Sequence, residues 1–199
     1  MEDKKEKRNK IILFSVIIIL VIFLTGVVMY AYSYFTAQAS TKDTISLGNI
    51  EITLTGWDNN TDIIVVPGKV IDKVPTITAT QGSSYARFVV EFIDGETGSV
   101  IKMDSSSERG KLLANMLSFN SNLSCKNVGS SYICNYNTIL NQNDKITLFD
   151  NLTIPKEWTN SDVDTAGNFK IKISAEAIQS KGFVDATEAF TQLSKEVTE

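Results

Sequence analysis

Residues 169–177 read FKIKISAEA, and this stretch decides the class of fold. Its odd-numbered positions are all apolar, from Phe169 to Ala177, whereas the positions between them are charged or polar. An apolar side chain at every second position is the signature of a strand with one face buried and the other in water. Residues 86–92 (ARFVVEF) repeat the pattern with apolar side chains at the even positions. Both stretches therefore predict half-buried strands.

Other stretches predict shorter strands. Residues 45–54 have apolar side chains whose parity changes at Gly48-Asn49, which predicts one strand with an inserted β-bulge. Residues 146–154 predict a further strand. Many short strands with few helices predict an all-β fold, an antiparallel two-sheet sandwich of the jelly-roll kind.

Two short helices are expected to interrupt the strands. Ser105 and Glu108 have the spacing of a capping box ahead of an apolar run at residues 112–117. Near the end of the chain, Asp185 and Glu188 precede a second stretch with the apolar spacing of a helix.

The N-terminus has the composition of an export signal. Residues 11–31 (IILFSVIIILVIFLTGVVMYA) contain no charged side chain, and 21 such residues can cross a bilayer as a helix. Residues 1–10 carry five basic and three acidic side chains, which predicts that they stay in the cytoplasm while the rest of the chain emerges outside. A buried helix of a soluble protein is the disfavoured alternative. The predicted parts are residues 1–33, a signal peptide or membrane anchor, and residues 34–199, an extracellular β-sandwich domain.

Composition alone leaves open whether this N-terminal segment is removed. Its length favours a retained anchor, because an ordinary signal peptide has an apolar region of roughly 7–15 residues. Small residues at Ala31 and Ser33 favour cleavage before Tyr34, and residues 37–39 (AQA) offer a second candidate site.

The two cysteines are predicted to form a disulfide across one hairpin. Gly129-Ser130 suits a two-residue type II′ turn, with Gly at the first central position. In that register Cys125 faces Cys134 at a non-hydrogen-bonded pair, whose close Cα spacing falls within disulfide range. A structural disulfide suits an exported domain, and a redox or metal-binding pair is the less favoured interpretation.

Composition argues against the common hydrolytic and metal chemistries. The chain contains no histidine, which removes the Ser-His-Asp and Cys-His nucleophile systems and the HExxH zinc helix. Residues 58–69 and 162–173 have part of the EF-hand spacing but lack its final Glu, so both are interpreted as surface loops. The residues after 33 carry 14 basic and 20 acidic side chains, which disfavours nucleic acid as a partner. We expect no enzyme activity, cofactor or metal site, and a hydrolase that uses carboxylates is the remaining enzymatic alternative.

The order of several short motifs resembles the TasA/camelysin family of exported Gram-positive surface and biofilm-matrix proteins. Five stretches are similar to segments of that family and occur in the same order. They are 31–36 (AYSYFT) for the cleavage region, 44–52 (TISLGNIEI) for the first strand, 67–68 (PG) for the turn, 85–90 (YARFVV) for the following strand and 171–179 (IKISAEAIQ) for the penultimate strand.

The resemblance implies a jelly-roll sandwich, a signal that a dedicated ER-type signal peptidase removes, and a structural role in extracellular fibres. In such fibres one subunit's N-terminal strand completes the next subunit's sheet. Camelysins are described as metalloproteases, and the absence of histidine argues against that activity here. The predicted function is a non-enzymatic cell-surface or biofilm-matrix structural protein, and the alternative is a membrane-anchored surface binding module. The expected partners are the signal peptidase, further copies of the chain or other matrix proteins, and the membrane before cleavage.

The segment after the predicted cleavage site is suited to be an assembly strand. It reads YFTAQAS and alternates Phe35, Ala37 and Ala39 with polar residues. Such a segment can add to an open sheet edge of another copy through main-chain hydrogen bonds. The alternatives are that it pairs with the sheet of its own subunit or stays disordered.

Overall fold

The structure is a computed structural model, and it describes residues 36–40, 44–47, 50–104 and 106–196. The predicted signal segment, the cleavage residues Ala31, Ser33 and Tyr34, and the assembly-strand residue Phe35 lie outside the described residues. Within the described part of the chain, no helix combines the length and apolarity needed to cross a membrane.

The largest sheet has six strands and is built around two long ones. All its neighbouring strands are antiparallel. Its order is β1 (Thr36–Ser40), β12 (Phe169–Gln179), β7 (Ser84–Asp94), β9 (Ser131–Leu140) and β8 (Leu123–Val128), and β4 (Asp62–Ile63) also pairs with β12. The strands predicted from alternation at 86–92 and 169–177 are confirmed, and they are direct neighbours as β7 and β12.

Two smaller sheets complete the β structure of the described residues. The four-stranded sheet has the order β10 (Lys145–Thr147), β6 (Thr76–Gln81), β3 (Ile50–Thr55) and β2 (Thr44–Leu47). The two-stranded sheet pairs β11 (Leu152–Thr153) with β5 (Val70–Ile71).

Two strand predictions are wrong in the same way, because each stretch that was expected to form one strand forms two. Residues 45–54 form an antiparallel pair, β2 and β3, with Leu47 opposite Ile50, where we expected one bulged strand. A Gly-Asn pair between two strands is a hairpin signal, and pairing the two halves satisfies the backbone groups that a bulge leaves unpaired. Residues 146–154 divide between β10 and β11 because Leu148 and Phe149 are both buried, which ends the alternation.

The two larger sheets share one hydrophobic core. Apolar side chains of β12 and β7 form a single buried cluster with those of β3 and β6: Phe169, Ile171, Ile173, Phe88, Val90, Phe92, Ile52, Leu54 and Ile77. The described fold is therefore mostly β and antiparallel, and two sheets around one core agree with the predicted sandwich.

The helices are short and are fixed by side-chain caps. They are α1 (Glu108–Ala114), α2 (Asn160–Ala166) and α3 (Ala186–Glu196). The predictions of α1 and α3 are confirmed, but the hydroxyl that caps α1 is that of Ser107, which accepts the Gly110 N–H at 2.9 Å. Ser105, the predicted cap, lies outside the described residues.

Helix α2 corrects the interpretation of residues 162–173 as a surface loop. Its first turn is a capping box, in which the Asp162 carboxylate accepts the Thr159 N–H at 2.7 Å and the Thr159 hydroxyl accepts the Asp162 N–H. The hydrogen bonds from Thr159 also lower the pKa of Asp162. The Thr-x-x-Asp spacing was present in the sequence and is a helix signal rather than a calcium signal.

The predicted disulfide is confirmed together with its register. Cys125 of β8 lies opposite Cys134 of β9, with their Cα atoms 3.9 Å apart and their sulfurs bonded. Gly129 has φ +66°, as the first central residue of the predicted type II′ turn requires. Cys134 is buried in the shared core, so the bond ties the edge of the large sheet to its interior.

Candidate assembly edge

The N-terminal strand covers part of one edge of β12. Strand β7 takes the other edge along its whole length, from residue 169 to residue 179. On the remaining edge, β1 runs antiparallel, with Thr36 opposite Ile178 and Ser40 opposite Ser174. The backbone edge of residues 174–178 is termed the acceptor edge. In this single chain, residues 36–40 of the predicted assembly segment thus pair with their own sheet.

The first part of the same β12 edge is covered by the segment that follows β3. Strand β4 pairs with Phe169 and Lys170. Beyond it, the indole Nε1 of Trp57 donates to the backbone oxygen of Ile171 at 2.7 Å. Trp57 is buried, and its ring meets that of Phe149 edge-on with 5.8 Å between centroids. Packing therefore fixes the indole where it replaces a strand.

Asn59 covers the last residue before the acceptor edge. Its side-chain Nδ2 donates to the Ile173 oxygen at 3.1 Å, and its Oδ1 accepts the Ile173 N–H at 2.8 Å. A carboxamide carries both a donor and an acceptor, so one side chain satisfies both backbone groups of that residue. A second strand can consequently pair with β12 only from Ser174 onward, unless Asn59 is displaced.

The faces of the acceptor edge are fixed by packing. On one face Ala175 and Ala177 are buried in the shared core. On the other face Glu176 pairs with Arg87 across the strands at 2.5 Å, and the Arg87 guanidinium lies 4.2 Å from the ring centre of Phe190 in α3. The part of β12 that pairs with β1 is therefore also held in place by contacts that do not involve β1.

The predicted assembly residues are distributed as follows. Ala37 lies opposite Ala177 and Ala39 opposite Ala175 in the pairing of β1 with β12. No sequence pattern indicates the role of Trp57 and Asn59, because their partners lie 114 residues further along the chain. Residues 58–69 are predicted to form a surface loop because Asp58 and its neighbours are turn-forming residues, and no short-range pattern predicts a contact between Asn59 and β12.

A cavity of about 320 Å³ lies elsewhere on the surface, between the loop after α1 and the loop after β10. Its lining is mostly polar: Ser118, Phe119, Asn120, Ser121, Phe149, Asp150 and Asn151. Asn120 fixes the two loops together, because its N–H donates to the Leu148 oxygen at 2.8 Å. In the part of the chain that is described, no group of three or more Cys, Asp or Glu side chains is arranged to hold a metal ion.

Comparisons with known proteins identify no family. No protein-family model matches the chain, and no curated protein matches it. Among solved structures, the Salmonella enterica trimeric lipoprotein SadB is similar over 91% of this chain and 84% of that chain, at 13% identity. The TM-score of that pair is 0.29, which does not indicate a shared fold.

Proposed function

We propose that this chain is a non-enzymatic, exported surface or matrix subunit that assembles by exchange of β1 at the acceptor edge. One observation carries the proposal: the strand that closes the acceptor edge is the first described strand, and it begins five residues after the predicted membrane segment ends. A terminal strand is the element that a neighbouring copy can replace without breaking the rest of the fold.

Exchange between copies is favoured by how β12 is held. The pairing with β7, the Arg87–Glu176 pair and the side chain of Asn59 keep β12 in place when β1 is absent. The acceptor edge then presents unpaired N–H and C=O groups, which take up another strand readily. Because the donor segment and the acceptor edge are different surfaces, repeated exchange produces an open filament.

The proposal includes the finer features that the sequence indicates. These are a jelly-roll arrangement, membership of the TasA/camelysin family, and export by the N-terminal segment with cleavage by a signal peptidase. Before cleavage the segment ahead of β1 is held in the membrane, so exchange is expected only of the cleaved chain.

Mixing two variants that each carry one added cysteine, beside the native Cys125–Cys134 bond, tests the exchange. Ser40→Cys and Ser174→Cys lie opposite each other, so a mixed disulfide between separately purified exported variants requires β1 of one copy on β12 of the other. Lys172→Cys is the matched control, because it lies on the part of β12 beside Trp57 and Asn59. We expect the 40/174 mixed dimer and no 40/172 dimer, with Phe35→Asp reducing the yield. Monomers without a mixed dimer would eliminate the fibre proposal.

The polar cavity favours the second candidate, a membrane-anchored binding module. A pocket of this size is typical of a small-ligand site, and its hydroxyl, amide and carboxylate groups suit a polar ligand. An uncleaved chain in the membrane fraction, together with failure of the mixing experiment, would favour this function.

A further inference from the structure

Half of the exposed large hydrophobic residues in the described chain lie in one short segment. They are Ile64, Val66, Val70 and Val74, with 65%, 49%, 48% and 38% of their surface exposed. These four side chains are termed the aliphatic strip. Isolated exposed aliphatics are common, and four of them within the eleven residues 64–74 make this segment a candidate interaction surface.

The strip is attached to the part of the fold that closes β12. Ile64 directly follows β4, which pairs with the start of β12. At the other end of the strip, Val74 packs so closely on Gly56 that a Cβ there would lie 2.0 Å from the Val74 oxygen. Gly56 also has φ +82°. Glycine is therefore required here both by the close contact and by the backbone conformation.

Lys73 strengthens the connection between the strip and the acceptor edge. Its ammonium group donates to the Thr61 hydroxyl at 3.3 Å and lies 5.9 Å from the ring centre of Trp57. Trp57 and Asn59 in turn bond the backbone of β12 just before Ser174. Both ends of the segment that carries the strip, at β4 and at Lys73, are thereby fixed next to the residues that close β12 before Ser174.

The short link between β1 and β2 determines where a donor copy must sit. Three residues separate Ser40 from Thr44, so the two Cα atoms cannot be more than roughly 14 Å apart. In an exchanged pair, Ser40 of the donor lies opposite Ser174 of the acceptor, and the body of the donor follows immediately. The body of the donor therefore begins beside Asn59, next to the two ends of the segment that carries the strip.

We propose that the aliphatic strip is the docking surface for the body of a second copy of this chain. The inference rests on the proposed strand exchange and adds a second contact to it. Main-chain pairing of the five β1 residues fixes the register between the two copies. Burial of the four aliphatic side chains adds buried apolar surface to the contact, which β1 alone does not supply. The strip also determines the angle between successive copies, because it contacts the donor outside the exchanged strand.

Charge substitutions in the strip test the inference within the same mixing experiment. Val66→Lys and Val70→Lys are introduced together into the Ser174→Cys acceptor, which is then mixed with Ser40→Cys. The matched control is Val128→Lys, since Val128 is 55% exposed and lies on the distant hairpin of β8 and β9. Thermal melting of each variant confirms that it is folded.

We expect the strip variant to require about tenfold more protein for the same yield of mixed dimer, and the control to match the unsubstituted acceptor. An unchanged yield in the strip variant, with normal dimer formation otherwise, would overturn the docking surface and leave strand exchange intact. Failure of the unsubstituted pair to form any mixed dimer would overturn both. An equal loss in the Val128→Lys control would also overturn the docking surface, because the effect would then be one of surface charge in general.

Discussion

The side chain of Asn59 makes both backbone hydrogen bonds of Ile173, accepting its N–H at 2.8 Å and donating to its oxygen at 3.1 Å. The two residues lie 114 positions apart, so the contact ties the segment after β3 to the last strand of the main sheet. The contact also marks a boundary on the edge of β12. Before it, the edge is covered by β4 and by the side chains of Trp57 and Asn59, and after it by β1.

Asn59→Ala should destabilise the fold by about 1–3 kcal/mol, because it leaves a backbone donor and acceptor of β12 without partners. Urea denaturation of the purified protein measures the effect. Asn60→Ala is the matched control, since Asn60 is the exposed neighbour and its loss should change stability by less than about 0.5 kcal/mol. Equal effects of the two substitutions would show that the bonds to Ile173 contribute nothing.

Replacing both cysteines by serine should lower the free energy of unfolding by about 2.5–3 kcal/mol. The bond joins two residues that are nine positions apart. The loss of chain entropy that such a bond causes in the unfolded state accounts for a stabilisation of this size. The measurement is a comparison of urea midpoints for wild type and the double variant under oxidising conditions. A double variant as stable as the wild type would contradict the entropic argument, and reduced wild type should behave like the double variant.

Acid should weaken a cluster that joins the end of β7 to α1 and α2. Hydrogen bonds from the Thr97 backbone N–H, at 2.7 Å, and then from the Arg109 guanidinium hold the pKa of Asp94 well below its usual range. Arg109 also donates to the Ala166 oxygen at 2.9 Å. A lowered folded-state pKa contributes stability above the unfolded value of about 3.9, and this contribution is lost as the pH falls through the folded pKa.

Asp94→Asn should therefore lower the urea midpoint at pH 7, and its difference from wild type should shrink progressively below about pH 4. Asp164→Asn, on the exposed side of α2, is the control and should follow the wild-type pH profile. A difference that stays constant down to pH 2 would show that the Asp94 substitution acts through packing rather than through the carboxylate charge.

Sequence patterns over a few residues predicted those parts of the fold that depend on interactions between residues close in sequence. Strands β7 and β12 followed from alternation, α1 and α3 from spacing, and the cysteine register from one turn. Two places in the fold differ from what the local pattern predicts. Strands β2 and β3, on either side of Gly48-Asn49, pair with each other, and the Thr159–Asp162 capping box starts a helix within an acidic stretch.

The candidate site was only half visible in the sequence. Ala37 and Ala39 were identified because their segment alternates, and the structure places both opposite alanines of β12. Trp57 and Asn59 were not identified, since a side chain that replaces a strand leaves no periodic pattern. The exposure of Val66 and Val70 likewise depends on how a loop folds back, and no local pattern in the sequence predicts that.

Cleavage is predicted between Ser33 and Tyr34, because small residues at Ala31 and Ser33 suit a signal peptidase, and it would leave the whole of β1 on the mature chain. Cleavage after Ala39, the second candidate site, would remove four of the five β1 residues and leave the acceptor edge without its own strand. N-terminal sequencing of protein recovered from the cell exterior identifies the site. Ser33→Leu should block processing and hold the full-length chain in the membrane fraction, since a large side chain replaces the small one that the peptidase requires. A mature chain that begins at Met1 would favour the anchored binding module, and one that begins at Ser40 would mean that β1 cannot be the donor strand.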